Sequence, residues 1–318
     1  MSFVHLHTHS EFSLLDGANR LRDLVHRAKH FEMPALALTD HGCMFGAWQF
    51  QKQAHADGLK PIIGMEAYVA PGDRRDRTRS ESGGKNYFHL VMMARDRVGY
   101  RNLVKLSSLG YTEGFYFKPR IDREIMRKYS EGIIVTSACL AGEIAQNLMK
   151  DDWGAAREAA AWHAEVFRDR YYLEVQGHDS PGQEELNRKV LKLGEELGIP
   201  VVATNDAHFL EANDHSAHDV LCCIGMGKDR DDPNRLIYDE GLYFKNHEEM
   251  HERFPDNPEV VENTLGIGDE VDWKFDKKYH VPEFPLPEEF IVEGRPMVDN
   301  ENAYLDHLAR EGARERYG

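Results

Sequence analysis

A chain of 318 residues with 41% hydrophobic and 30% charged side chains can bury a large core, which excludes a disordered polymer and leaves one sizeable domain, or one domain with an extension. No apolar run approaches the roughly 18 residues that span a bilayer, and no secretory signal pattern opens the chain, so a soluble, cytoplasmic protein with no membrane partner is expected. A formal charge of -16 argues against holding nucleic acid by a broadly basic surface, though not against an enzyme whose positive charge is local and metallic.

Strands are expected near residues 3–8, 35–39, 61–69, 88–93, 133–136, 171–176 and 201–204, where short β-rich runs stand between amphipathic helical patterns. The helical patterns cover residues 19–31, 48–58, 98–110, 151–167 and 181–198, with Asn19 as an N-cap. Alternation of this kind implies βαβ units and mostly parallel strands, and seven of them suggest a distorted seven-stranded βα barrel of the α/β class with a C-terminal extension. Residues 70–86, "APGDRRDRTRSESGGKN", read as a mobile basic loop. After about Gly225 the alternation fades, the stretch "FDKKYHVPEFPLPEEF" reads as a proline-studded linker, and the last residues resemble an amphipathic helix. The expected division is a main domain over residues 1–280, with its barrel core at about 1–225, followed by a separate segment over 281–318.

Metal-competent side chains recur where strands end, the place where sites collect in a βα barrel. The opening "FVHLHTHSEFSLLDG" supplies His7, His9 and Asp16, and "LTDHG" supplies Asp40 and His41. Glu66 lies in the apolar run "IIGMEAYV", where an unpaired buried carboxylate is costly, and His89 lies in "YFHLVMMA". Cys139 follows the fifth strand in "VTSACLAGE", and Asp206 and His208 follow the seventh in "VVATNDAHF". Leaving Asp40 aside, nine candidates remain, and because a single zinc takes about four ligands they suit two or three ions bridged by carboxylates. The mixture of imidazole, carboxylate and one thiolate favours zinc, with manganese or iron as alternatives. Clustered ions of this kind clamp an in-line phosphoryl displacement, which makes phosphoester hydrolysis the natural chemistry.

Other residues have plainer readings. The four cysteines form no CxxC pair, so no disulfide framework is expected, and Cys222 and Cys223 read as core. His5 reads as a packing neighbour of the ligands, while His215, His218, His247, His251 and His280 read as surface residues. Lys118 and Arg120 in "FKPRID" are candidates to contact phosphate or to form structural ion pairs. The arginines at 74, 75, 77 and 79 are either phosphate contacts or part of a solvated loop.

The segments "HLHTHSEFSLLDG", "TDHG", "KPIIGMEAYV", "YFHLVMMA", "GFYFKPRID", "SACLAGE" and "TNDAHF" resemble, in order, the motifs of the polymerase and histidinol phosphatase (PHP) domain. More narrowly they resemble the version found at the N-terminus of bacterial replicative DNA polymerase III alpha subunits, and the likeness extends to the end of the chain. That resemblance implies a distorted barrel carrying three divalent metal ions, with ligands at His7, His9, Asp16, His41, Glu66, His89, Cys139, Asp206 and His208. A hydroxide held by the metals would attack a phosphodiester and release nucleotides from a 3′ end, with Asp40 orienting His41 from behind. The implied partners are DNA, as a single strand or a primer terminus, and the remainder of a polymerase chain whose palm region would begin within 281–318. Two alternatives stand beside this reading. One is a non-catalytic platform that stabilises a polymerase and docks a proofreading exonuclease subunit. The other is a free-standing phosphoesterase of the same superfamily.

Overall fold

A computed structural model describes residues 2–78, 86–276 and 284–318. The chain divides into two compact units, residues 1–275 and 276–318. In the first, the strands are β1 (Ala35–Leu38), β2 (Lys60–Val69), β3 (Phe88–Ala94), β4 (Phe115–Tyr116), β5 (Lys118–Ile121), β6 (Ile133–Thr136), β7 (Tyr171–Gln176) and β8 (Val201–Thr204). The helices there are α1 (Leu21–His30), α2 (Ala47–Ala56), α3 (Arg97–Thr112), α4 (Arg123–Lys128), α5 (Glu143–Met149), α6 (Trp153–Phe167), α7 (Gln183–Leu197), α8 (His215–Met226), α9 (His247–Arg253) and α10 (Glu259–Glu270). The second unit carries α11 (Met297–Tyr317), a helix with exposed Leu305 and Leu308.

The sheet runs β4-β5-β2-β3-β6-β7-β8, with β1 paired to the first half of β2. Its curl is completed by residues 3–10, which lie between β1 and the stretch after β8. Ala37 N donates to His5 O at 2.9 Å and Thr39 N to Thr8 O at 3.0 Å on one side. His9 N donates to Ala207 O at 2.9 Å and Ala207 N to His7 O at 3.2 Å on the other. The segment is therefore a strap joined by isolated bridges and not the regular first strand expected for residues 3–8. Counting it, the ring is a distorted seven-membered barrel. Its strands are buried along nearly their whole length because α1, α2, α3 and α5–α7 cover the outside, as near-continuous apolar runs require.

Three local expectations need correction. β3 is antiparallel to both β2 and β6. The described residues of the link 70–87 hold no helix, and without a crossover of a dozen or more residues a neighbouring strand returns antiparallel. The second correction is a hairpin, β4–β5, in the "FYFKPRI" segment, with Phe117 at its tip. The third is Asn19, which does not cap α1: that helix starts at Leu21 behind Arg20 with no side-chain cap. Asn19 Nδ2 instead donates to His9 O at 2.9 Å and Ala207 O at 3.2 Å, because those carbonyls are buried and need partners more than a helix end open to solvent does.

His163, on the inner face of α6, gives the fold a testable acid sensitivity. Its Nδ1 donates to Ala159 O at 2.8 Å, while its Nε2 is buried without a partner. Burial pushes its pKa from 6.5 down to about 4. Below the unfolded value the unfolded chain takes up a proton that the folded chain refuses, so stability falls as pH drops through that window. At about pH 5 the loss from this one group is about 2 kcal/mol. His163→Leu is expected to shrink the difference in urea midpoint between pH 7 and pH 5. An unchanged difference would show that the group does not titrate this way.

Candidate metal centre

The barrel brings the nine candidate side chains to one end. β3 runs in reverse, so His89, the second residue of that strand, sits at the same end as Glu66 near the finish of β2; the register pairs Tyr68 with His89 and Glu66 with Val91. Glu66 lies at the middle of the cluster. Its Oε1 is 3.2 Å from His7 Nε2, 2.8 Å from His89 Nδ1 and 3.5 Å from Cys139 Sγ. Its Oε2 is 2.6 Å from His41 Nδ1 and 3.7 Å from His9 Nε2. Asp206 Oδ1 stands 3.2 Å from His7 Nε2 and 3.1 Å from His9 Nε2. Asp16 Oδ2 lies 2.6 Å from His41 Nε2 and 3.5 Å from His208 Nε2.

Only part of this proximity is hydrogen bonding: Glu66 Oε1 bonds with His89 Nδ1 and accepts from Cys139 Sγ, but other atoms of the cluster have no such partner. His7 Nε2, His9 Nε2, His41 Nδ1, His208 Nε2, Glu66 Oε2 and Asp206 Oδ1 are buried without a hydrogen-bond partner, although each has oppositely charged neighbours close by. Buried polar groups in folded proteins nearly always find partners. Ligands about 2.0–2.1 Å from a shared tetrahedral zinc stand about 3.4 Å apart and aim at the ion, not at each other. The separations of 3.1–3.7 Å around His7, His9, Glu66 and Asp206 have that character. Three triads within the nine can each offer one ligand atom to an ion: His7–His9–Glu66, His41–Glu66–His89 and His9–His41–His208. They overlap at Glu66, His9 and His41, so the donor set fits several neighbouring cations better than one.

The imidazoles are held by groups behind them. His7 Nδ1 donates to Glu174 Oε1 at 2.7 Å, and Glu174 also accepts from Thr204 Oγ1 at 2.6 Å and from Thr136 Oγ1. His208 Nδ1 donates to Asp206 O at 2.7 Å. His9 Nδ1 meets Ser13 Oγ at 3.0 Å, and Ser13 Oγ donates to Asp40 Oδ1 at 2.8 Å. In each case one ring nitrogen is committed and the other faces the centre, the arrangement that fixes the tautomer of a ligand histidine. Asp40 is therefore not a support for the His41 ring as expected: it also accepts from Ser10 N and Ser10 Oγ, and it acts on His9 through Ser13. Glu174 escaped the sequence reading, yet "YYLEVQ" carries the same signal as Glu66, a carboxylate in an apolar strand. Glu174→Gln is expected to weaken metal binding about 10–100-fold, because an amide places an N–H where three donors converge. Titration of the metal-free chain against a chromogenic chelator measures it, and an unaltered affinity would remove Glu174 from this role.

Burial disfavours charge throughout the cluster, and mutual attraction overcomes it for most members. His7 is held well above its ordinary pKa by Asp206, Glu174 and Glu66, and His41 is raised to about 10 by Glu66 and Asp16. Glu66 lies well below the usual carboxylate range through His89, His41 and His7, and Asp206 is lowered likewise through His7 and His208. Burial pushes His9 down to about 3, helped by the neighbouring His41 and His208 rings. Burial, with Glu66 next, holds the Cys139 thiol well above its ordinary range. The carboxylates stay ionised and draw positive charge.

Backbone strain marks the same place. Leu15, Ala138 and Asp206 adopt left-handed φ values of 60°, 60° and 49°, and they precede or are candidate ligands. Such conformations persist only where surrounding structure enforces them, and they gather at functional sites. Above the cluster opens a cavity of about 500 Å³ whose lining includes Asp16, His41, His89, Tyr68, Tyr87, Phe45, Tyr111 and Lys118.

The remaining candidates fall into place around it. His5 packs on Phe244, with ring centroids 4.1 Å apart, and its Nε2 meets Lys245 O at 2.8 Å, so it is a neighbour of the centre. His218, expected at the surface, is fully buried; its Nε2 donates to Asp16 O at 2.7 Å, and Cys222 Sγ lies 4.0 Å from Asp16 Oδ1. The spacing of His218 and Cys222, four residues apart on α8, is the signal that puts both on one face. His280 and Arg79 lie outside the described residues.

Arg120 does not fit a phosphate contact. It is 2% exposed, and its guanidinium donates to the carbonyls of Gly114, Arg74 and Asp76 at 3.2, 2.9 and 2.5 Å. Arg74 is likewise committed, to Asp122, Glu113 and Glu124, and Arg75 pairs with Asp73. Lys118 keeps its place at the cavity, with Nζ 5.2 Å from the centroid of the Tyr68 ring.

Residues 5–178 match the family model described as the PHP domain. Over 319 residues the chain is 41% identical to a DNA polymerase III subunit alpha from Borreliella burgdorferi, covering 99% of this chain and 27% of that protein. Its identity to the DNA polymerase III subunit alpha of Treponema pallidum is 43% over 324 residues, covering 100% of this chain and 27% of that protein. The Thermus aquaticus counterpart is 42% identical over 327 residues, covering 100% of this chain and 26% of that protein. The chain thus spans about a quarter of the length of these curated relatives. A solved amidohydrolase from Chromobacterium violaceum overlaps 65% of this chain and 88% of its own at a TM-score of 0.37 and 16% identity, a likeness too loose to weigh further. With a family match over more than half of its length, and the barrel and ligand cluster just described, the chain belongs to the PHP domain family.

Proposed function

We propose that this chain is the PHP region of a replicative DNA polymerase III alpha subunit, and that its centre is a metal-dependent 3′-5′ exonuclease site. The observation that carries the reading is the set of buried, hydrogen-bond-free nitrogen and oxygen atoms converging at one barrel end. His7, His9, Asp16, His41, Glu66, His89, Cys139, Asp206 and His208 would hold about three divalent ions, zinc first by donor chemistry and manganese or iron next. Such ions supply Lewis acidity and a nucleophile at neutral pH, and they neutralise charge on a phosphoryl group in displacement.

The chain's own residues do the rest. Glu174, Ser13 with Asp40, and the Asp206 carbonyl hold three imidazoles in the tautomer that faces the centre. Glu66 and Asp206 set the spacing between the imidazoles. Lys118 at the cavity wall offers an ammonium to phosphate, and Tyr68 beneath it keeps that ammonium in place. The cavity also favours catalysis over a purely structural platform, since structural metal sites are closed by protein ligands whereas catalytic ones keep an open side.

The test is degradation of a 5′-labelled single-stranded oligodeoxynucleotide by the metal-loaded chain and by Asp206→Asn. The expected result is stepwise shortening from the 3′ end that the substitution abolishes. Bound metal without any shortening would leave the platform reading, and turnover of small phosphomonoesters alone would favour the free-standing phosphoesterase.

A further inference from the structure

The "GFYFKPRID" segment has no part in the metal cluster, yet the fold spends considerable structure on presenting it. Arg120, buried, fastens the base of the β4–β5 hairpin through Gly114 O and ties it to Arg74 O and Asp76 O. Gly114 must be glycine there, since a Cβ would sit 1.9 Å from Arg120 O. At the tip, where Tyr116 pairs with Lys118, Phe117 takes a left-handed φ of 61° and is 78% exposed. A phenylalanine in that conformation with its ring in water is doubly unfavourable, and such outliers persist where they serve a purpose.

Phe117 meets the Tyr116 ring edge to face, with centroids 4.6 Å apart, and its hairpin also carries one end of a row of exposed rings. Phe115 on the same hairpin is 48% exposed, Tyr111 at the end of α3 is 39% exposed, and Phe45 after the Asp40–His41 turn is 60% exposed. Their rings form a series: Phe45 to Tyr111 spans 6.0 Å between centroids, and Tyr111 to Phe115 spans 6.2 Å with the planes 27° apart. Phe45 and Tyr111 line the same cavity as the candidate ligands Asp16, His41 and His89. Among the described residues lining that cavity, Lys118 is the sole lysine or arginine.

We infer that Phe45, Tyr111, Phe115 and the hairpin tip at Phe117 form a stacking platform for the unpaired bases at the end of a single-stranded nucleic acid. The inference rests on the phosphodiesterase reading above and adds the device that selects its substrate. Charge explains the choice. Away from the metal centre, a chain of net charge -16 with one ammonium at the cavity gains little from the phosphate backbone, so affinity for the strand beyond the reacting phosphate comes from the base faces. Aromatic side chains supply that affinity without regard to sequence. Bases within a duplex are already stacked and paired, so the platform selects unpaired ends.

The experiment compares a 5′-fluorescein-labelled oligo-dT of about ten nucleotides with an abasic strand of the same length and label, in binding anisotropy and in cleavage by the metal-loaded chain. The wild type is expected to bind oligo-dT about tenfold or more tighter than the abasic strand. Phe45→Ala, Tyr111→Ala and Phe117→Ala are expected to pull that ratio towards one while metal content stays at the wild-type level. Equal binding of the two strands by the wild type, or a ratio unmoved by all three substitutions, overturns the inference. Failure of the phosphodiesterase reading looks different: neither strand is cleaved, and the binding ratio still decides the platform on its own.

Discussion

Glu66→Gln is expected to strip the centre of most of its metal, weakening affinity about 100-fold or more, and to lower phosphodiester hydrolysis about 1000-fold. Among the described residues no other side chain touches so many of the candidate ligands: its two oxygens stand within 3.7 Å of His7, His9, His41, His89 and Cys139. Those neighbours hold the carboxylate ionised against its burial. Glutamine preserves the volume, removes the charge, and turns an N–H₂ towards imidazole nitrogens that would hold cations. Metal content by mass spectrometry and oligonucleotide shortening measure the two effects together. Full metal retention in Glu66→Gln would mean that the carboxylate is not a bridge between ions. Glu66→Asp separates charge from reach, since it keeps the first and shortens the second by one methylene.

Gly99→Ala is expected to destabilise the fold strongly. In an open helix the change would gain about 1 kcal/mol of helix propensity. Here the new Cβ would lie 1.8 Å from Gly132 O, a carbonyl already receiving Arg95 N at 2.9 Å. Gly132 itself has φ 70°, and a Cβ there would meet Asp96 Oδ1, the cap that accepts from Gly99 N. The two glycines therefore form one backbone-to-backbone seat for α3 beside the start of β6, and neither side can retreat. Overpacking a rigid seat costs about 3 kcal/mol, which outweighs the propensity gain. For a unit of this size the net loss of about 2 kcal/mol corresponds to a fall in melting temperature of about 4–8 °C. Thermal unfolding followed by circular dichroism reads the shift, and an increase would show the seat to be soft.

The convergence of the candidate side chains was legible because their chemistry is unusual for its setting. A carboxylate in "IIGMEAYV" and a histidine in "YFHLVMMA" stand in runs that otherwise bury apolar groups, and such residues need a reason to be there. The same signal in "YYLEVQ" points to Glu174, which holds the candidate ligand His7 from behind, and only the fold separates the two positions. The part of Asp40 was misread because the sequence gives adjacency to His41 but not the loop that brings Ser10 and Ser13 over it. Arg120 stood open between a phosphate contact and a structural role for a related reason: sequence does not show the three carbonyls that occupy its guanidinium. The reversed β3 and the strap at residues 3–10 depend on how long connections close in space, which local periodicity does not encode. His218 was lost among the surface histidines because its partner is the Asp16 carbonyl, 202 residues away.

The central claim is a multinuclear centre at the barrel end. Its most direct test is the number of divalent ions per chain, determined by mass spectrometry on the purified protein after equilibration with zinc or manganese and removal of free metal. About three ions per chain are expected, falling sharply in Glu66→Gln and in Asp206→Asn. A chain that retains no stoichiometric metal, or a single ion indifferent to both substitutions, would contradict the claim.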